Sequence, residues 1–166
     1  MGNHYGRDSV ATHIPLLARV FDISEGDVLE IGTGYYSTLL LHWLSTISKR
    51  HVYSYENRTY WFTRNQQYES KYHHIVLCTD WKSADFDQRH WGMAFIDHSP
   101  GWRRPKEVAR LADKADYLVI HDTEPDENDR YAFEKTWGLF KYRYDYTKLR
   151  PNTSVVSNFK DLSNVP

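Results

Sequence analysis

The sequence predicts an α/β domain: a doubly wound, mostly parallel sheet of seven strands, the last two forming an antiparallel hairpin. Three observations carry this reading. Short apolar runs alternate with helix-like segments through residues 27–120. A Gly-x-Gly turn, Gly32-Thr33-Gly34, stands between the first apolar run and a long apolar helix. Two strand-like runs close the chain on either side of Pro151-Asn152, a turn signal.

Residues 9–20 predict a helix that Pro15 kinks or shortens. Residues 27–31 (DVLEI) form the first strand, and 38–47 (TLLLHWLSTI), free of Gly and Pro, a buried helix capped by Ser37 or a neighbour. Residues 51–55 (HVYSY) alternate as a strand does, and 59–72 are helical in composition. The third and fourth strands are 74–77 and 93–96. Pro105 opens a helix to about Ala112, and 117–120 (YLVI) are the fifth strand. Residues 141–146 and 153–159 are the hairpin.

The 166 residues suit a single domain over 1–166, long enough to bury a core without staples. A net charge of -1 gives no global field for nucleic acid or an anionic membrane, so neither is an expected partner. No apolar stretch approaches the ~20 residues of a membrane span. Cys78, the one cysteine, reads as a buried strand residue and points to a reducing, cytoplasmic setting.

The turn Glu30-Ile31-Gly32-Thr33-Gly34-Tyr35-Tyr36-Ser37 lies directly after a strand and before a helix. Glycine permits the tight turn and a close ligand approach, and the helix start offers free N–H groups to an anionic group. Ser37 stands where a dinucleotide fingerprint has its third glycine, which argues against a nucleotide-dependent oxidoreductase. Glu56 ends the second strand, where a carboxylate can accept from both hydroxyls of a ribose. Asp80-Trp81 follow the third strand.

The form E-x-G-x-G, with acids at successive strand ends, resembles class I S-adenosylmethionine-dependent methyltransferases, from about Ser9 to Phe159. The terminal hairpin fits, since that Rossmann-like family ends its sheet with a reversed strand. The resemblance implies S-adenosylmethionine as cofactor. It places Glu30 near the methionine end and Gly32, Gly34 and Ser37 along the cleft. Glu56 would lie on the ribose, Asp80 near the adenine amino group and Trp81 on its ring. The likeness is strongest to small O-methyltransferases for sugars or small molecules, whose fourth strand ends in Asp-x-x-Pro-Gly and whose fifth ends in His-Asp.

Asp97-His98 and His121-Asp122 end the fourth and fifth strands here, and both pairs are the candidate catalytic residues. Ligands of open α/β sheets bind beyond such strand ends. A hydroxyl acceptor must lose its proton to a base or to a metal that acidifies it. Histidine suits the base role. Mg²⁺ held by Asp97 and Asp122, with Glu124, is the alternative, but Thr123 replaces the neutral amide ligand of the metal type, so the histidine base is favoured. Trp102, Arg103 and Arg104 either hold an anionic or sugar acceptor or merely launch the next helix. The acidic run 124–129 reads as a lid or a solvated loop, and His51, His73 and His74 as surface or strand residues. Tyr5, Ser9, Thr12 and His13 lie in or beside the first helix, a segment that the resemblance places over the cofactor. With no inserted substrate domain, the acceptor site must come from loops, this segment or a second copy in a homo-oligomer.

The function expected is methyl transfer from S-adenosylmethionine to a hydroxyl of a small molecule or sugar. The alternative is a non-catalytic, cofactor-binding or partner-subunit domain, which fold alone cannot distinguish.

Overall fold

The computed structural model describes residues 11–125 and 131–166. Among these residues seven strands form one sheet in the order β3-β2-β1-β4-β5-β7-β6. They are β1 (Val28–Ile31), β2 (Val52–Glu56), β3 (His73–Leu77), β4 (Trp91–Ile96), β5 (Ala115–His121), β6 (Tyr142–Tyr146) and β7 (Thr153–Ser157). β1 to β5 are parallel, and β7 enters antiparallel between β5 and β6. The doubly wound sheet with its terminal hairpin is thus as the sequence predicts.

Strands buried on both faces need continuous apolar runs. Every residue of β1 and β4 is buried. Leu29, Ile31, Ala94, Ile96, Leu118 and Ile120 point to one face, where Phe86, Trp91 and Val108 meet them. Val28, Met93, Phe95 and Val119 point to the other, under Leu16, Leu17 and Leu41. The edge strand β6 is largely exposed and carries Arg143 and Asp145, charges that blunt an edge.

The helices are α1 (Ile14–Ile23), α2 (Ser37–Ser48), α3 (Thr59–Asn65), α4 (Arg104–Arg110) and α5 (Glu134–Trp137). Pro15 stands in the first turn of α1, where its missing N–H has no helical partner, so it starts the helix and neither kinks nor truncates it. The segment after β2 is α-helical only to Asn65 and tightens into a 3₁₀ turn at Gln66–Tyr68. Cys78 lies just past β3 and is half-buried, with burial pushing its thiol up to about 12. No described helix is long and apolar enough to cross a membrane.

Candidate active site

The turn between β1 and α2 is held from below by a carboxylate. Gly34 N–H donates to Thr38 Oγ1 at 2.9 Å, and that hydroxyl donates to Glu30 Oε1 at 3.1 Å. Ser54 donates to Glu30 Oε2 at 2.5 Å and also meets His73 Nε2 at 2.7 Å. Ser37 does not cap α2, which Tyr36 precedes. It lies in the first turn, buried, and its hydroxyl bonds Glu30 as well. Burial pushes the Glu30 carboxyl up to about 7, against the opposing pull of these hydroxyls. Gly32 has φ +92°, and a Cβ there would lie 2.4 Å from His98 Cα. The turn is therefore pressed onto the end of β4, and only glycine fits that contact.

Glu56 stands at the tip of β2 and reaches back over the turn. Its Oε2 accepts from Thr33 N–H at 2.8 Å and Thr33 Oγ1 at 3.0 Å. Its Oε1 accepts from the N–H groups of Asn57 and Arg58 at 2.9 and 2.8 Å. Asn65 donates to Thr33 Oγ1 at 3.0 Å and so anchors the far side.

Asp80 is exposed, its carboxylate accepting from Lys82 N–H at 3.0 Å. Trp81 turns inward, its indole N–H on the Ser99 carbonyl at 2.9 Å and its ring against His98. Beside these residues a pocket of about 290 Å³ opens at the outer end of β2 and β3. Tyr55, Val76, Cys78 and Ala84 wall it, with Thr79 and Asp85 at its polar edge.

The ends of β4 and β5 converge on one cation. Arg104 donates to Asp97 Oδ1 at 2.8 Å and Asp122 Oδ2 at 2.7 Å. The same guanidinium holds the His98 and His121 carbonyls at 2.9 and 3.2 Å. Arg103 likewise turns inward, onto Glu107. Both arginines are buried, whereas Trp102 beside them is well exposed. Glu124 binds Asn152 N–H at 2.7 Å and Thr123 bonds Ser154, so neither faces the aspartates as a further ligand. With Arg104 already between Asp97 and Asp122, one oxygen of each is taken, and the pair is not an open oxygen cage for Mg²⁺.

His121 Nδ1 lies 3.3 Å from Asp97 Oδ2 and 3.6 Å from Asp122 Oδ1. Its Nε2 meets Thr12 Oγ1 at 3.0 Å, and Thr12 donates its proton to the Pro151 carbonyl at 2.7 Å. Thr12 thus accepts from Nε2, while Nδ1 faces the carboxylate. Burial alone would lower the His121 pKa, but Asp97 first and Asp122 next raise it. Burial would raise Asp97, yet Arg104 and His121 hold it well below the usual carboxylate range.

His98 does not join this group. It is buried against Trp81, with Nε2 3.3 Å from the buried Glu107, and burial lowers its pKa despite that partner. His13 takes its place. It precedes α1 with its ring edge-on to His121, centroids 4.7 Å apart. The sequence marks His13 only as a covering residue and does not mark Arg104 as the clamp, for no short spacing links either to the strand tips. His51 and His74 stack at 5.4 Å with a ring-nitrogen contact of 3.1 Å. Tyr5, Ser9 and most of the acidic run lie outside the described residues.

No protein-family model matches the chain, and no curated protein matches it in sequence. Solved structures do resemble it. Cofactor-bound Rv0187 from MTB superposes with a TM-score of 0.64 at 16% identity, covering 95% of this chain and 84% of that one. Human methyltransferase-like protein 13 in complex with SAH gives 0.62 at 12% identity, covering 95% and 82%. The O-methyltransferase from Bacillus cereus in complex with SAH gives 0.62 at 15%, covering 94% and 84%. The likeness establishes the fold: a Rossmann-like methyltransferase architecture along nearly the whole chain.

Proposed function

We propose that this chain is a single-domain S-adenosylmethionine-dependent methyltransferase acting on a hydroxyl of a small molecule or sugar in a reducing, cytoplasmic setting. One observation carries the reading. The Gly32–Gly34 turn, its supporting Glu30 and the Glu56 tip stand beside a second polar group, Asp97, His121 and Asp122, on the neighbouring strand ends. Cofactor and acceptor would thus meet above β1, β4 and β5. The adenine end would enter the pocket between Tyr55, Val76 and Ala84, with Glu56 on the ribose once it exchanges Thr33 for the sugar hydroxyls. His121 would take the acceptor proton at Nε2, once that nitrogen is deprotonated and the acceptor hydroxyl replaces Thr12 there, while Asp97 orients the ring through Nδ1. Solved relatives in fold were seen with SAH, and one is an O-methyltransferase.

The test is thermal. S-adenosylhomocysteine at about 100 times its dissociation constant should add about 2.7 kcal/mol, a rise in Tm of roughly 5–10 °C, and NAD should add none. No rise with the homocysteine compound, or an equal rise with NAD, overturns the proposal. A second reading, a non-catalytic partner domain, draws on the same geometry: the Glu56 oxygens already receive four donors and Arg104 bridges both aspartates. Cofactor binding without turnover on any hydroxylated acceptor would favour it.

A further inference from the structure

We propose that His13, Asp97 and His121 form a binding site for one divalent transition-metal ion of the Zn²⁺ type, which ties the start of α1 to the tips of β4 and β5. One donor atom from each residue lies within 4.8 Å of the other two. The three come from different elements and are brought together only by the fold.

The second observation is His13 itself. It is 2% exposed, and among the described residues neither ring nitrogen has a hydrogen-bond partner. Leaving a buried polar group unmet costs about 1–3 kcal/mol, so a ring with both nitrogens open is a site awaiting a ligand. The Phe95 ring centroid lies 4.8 Å from that of His13 and the His121 centroid 4.7 Å from it. Phe95 gives His13 no polar partner, and the donor atoms near it are those of Asp97 and His121.

The donor chemistry selects the ion. Two imidazoles and one carboxylate suit Zn²⁺ and its neighbours, whereas Mg²⁺ asks for oxygens. Asp97 Oδ2 and His121 Nδ1 already face each other, and an entering ion would sit between them and His13. Zn–N bonds of about 2.0 Å put ligand atoms about 3.3 Å apart, so the group must close by about an ångström or more on binding. Local charge permits a cation: Asp97 and Asp122 face one guanidinium, Arg104, which holds the other Asp97 oxygen as an outer-shell partner. Ligation would occupy the His121 nitrogen that faces Asp97, so the bound ion and a His121 base exclude one another.

The experiment uses the full chain without methyl donor, so its result is independent of the methyl-transfer proposal. Zn²⁺ is titrated in competition with a chromophoric chelator, for the wild type, His13→Phe and Asp97→Asn. The wild type should bind one ion, and both variants should lose at least the 10–100-fold that loss of an outer-shell partner costs. Phe fills the apolar space beside Phe95 and keeps the packing. On the wild type alone, Co²⁺ should broaden the NMR signals of His13, Phe95 and His121 before all others, which keeps the test intact should a variant not fold. Broadening centred on His51 and His74, unchanged affinity in His13→Phe, or Mg²⁺ binding as tightly as Zn²⁺ would each overturn the site.

Discussion

Arg104 organises the candidate site. Its guanidinium is buried and holds two carboxylates and two carbonyls. Removing one partner of a buried charge cluster leaves the rest uncompensated and costs about 3–5 kcal/mol. Arg104→Gln should therefore lower the urea-unfolding free energy by about that much. Lysine should not rescue it, because a point charge cannot fork to both aspartates. A loss under 1 kcal/mol would show the clamp to be unimportant. Under the methyl-transfer proposal, the two histidines at the strand ends should separate. His121→Ala should cut kcat by ~10²–10⁴ with cofactor affinity nearly unchanged, and turnover should survive EDTA. Because Asp97 raises the His121 pKa, kcat/KM should climb through a group titrating above the ordinary histidine value of 6.5. His98→Gln should act chiefly on stability, since that ring faces Trp81 and Glu107. A fall in kcat as large as that of His121→Ala would reverse the assignment. Asp97, His121 and Asp122 were legible in the sequence because they end apolar runs, and parallel strands carry such ends to one edge. His13 was not, because its meeting with His121 depends on how α1 crosses the sheet.

At the scale of elements, the β1–α2 connection shows why the motif needs its particular residues. Glu30 is buried among hydroxyls and reaches the turn through Thr38. Thr38→Val keeps the shape but leaves Gly34 N–H and one Glu30 oxygen without that partner. A loss of about 1–3 kcal/mol is expected by urea unfolding, with a weaker response to S-adenosylhomocysteine. Gly32→Ala is harsher: the positive φ and the His98 backbone leave no room for a methyl group. Most elements were legible from periodicity and from Gly or Pro punctuation, within a few residues at their ends. The misses have local causes. Pro15 marked a beginning, since proline suits a first turn. The end of α3 carries no Gly or Pro, so composition could not show the tightening after Asn65. Trp81 offered an exposed stacking ring in sequence, but the Ser99 carbonyl and the apolar layer beneath β4 draw it inside.

For the whole molecule, the buried titrating groups set how stability depends on pH, and they oppose one another. Burial lowers His13 and His73 from 6.5 to about 3, so below pH 6.5 the unfolded chain holds protons that the fold does not. Each such group removes about 1.4 kcal/mol per pH unit as the pH falls. Glu30 acts in reverse. Its folded value of about 7 exceeds the unfolded 4.5, so the fold holds the extra proton and gains with falling pH between those values. Between pH 6.5 and 4.5 two histidines outweigh one carboxyl, and His98, also lowered, adds to them. Stability should therefore fall on acidification by at least about 1.4 kcal/mol per pH unit. Above pH 6.5 the sign changes: Glu30 ionises at a loss, and His121, whose pKa is raised, gives up the proton that pairs it with Asp97. The optimum should lie near pH 6.5. Glu30→Gln keeps an acceptor oxygen for Thr38, can donate its amide N–H to Ser54, and removes the titration. Its acid limb should steepen by about 1.4 kcal/mol per pH unit, and its optimum should move upward. Urea midpoints of both proteins at pH 5, 6.5 and 8 read this directly, and parallel acid limbs would show that Glu30 is ionised in the fold throughout that range.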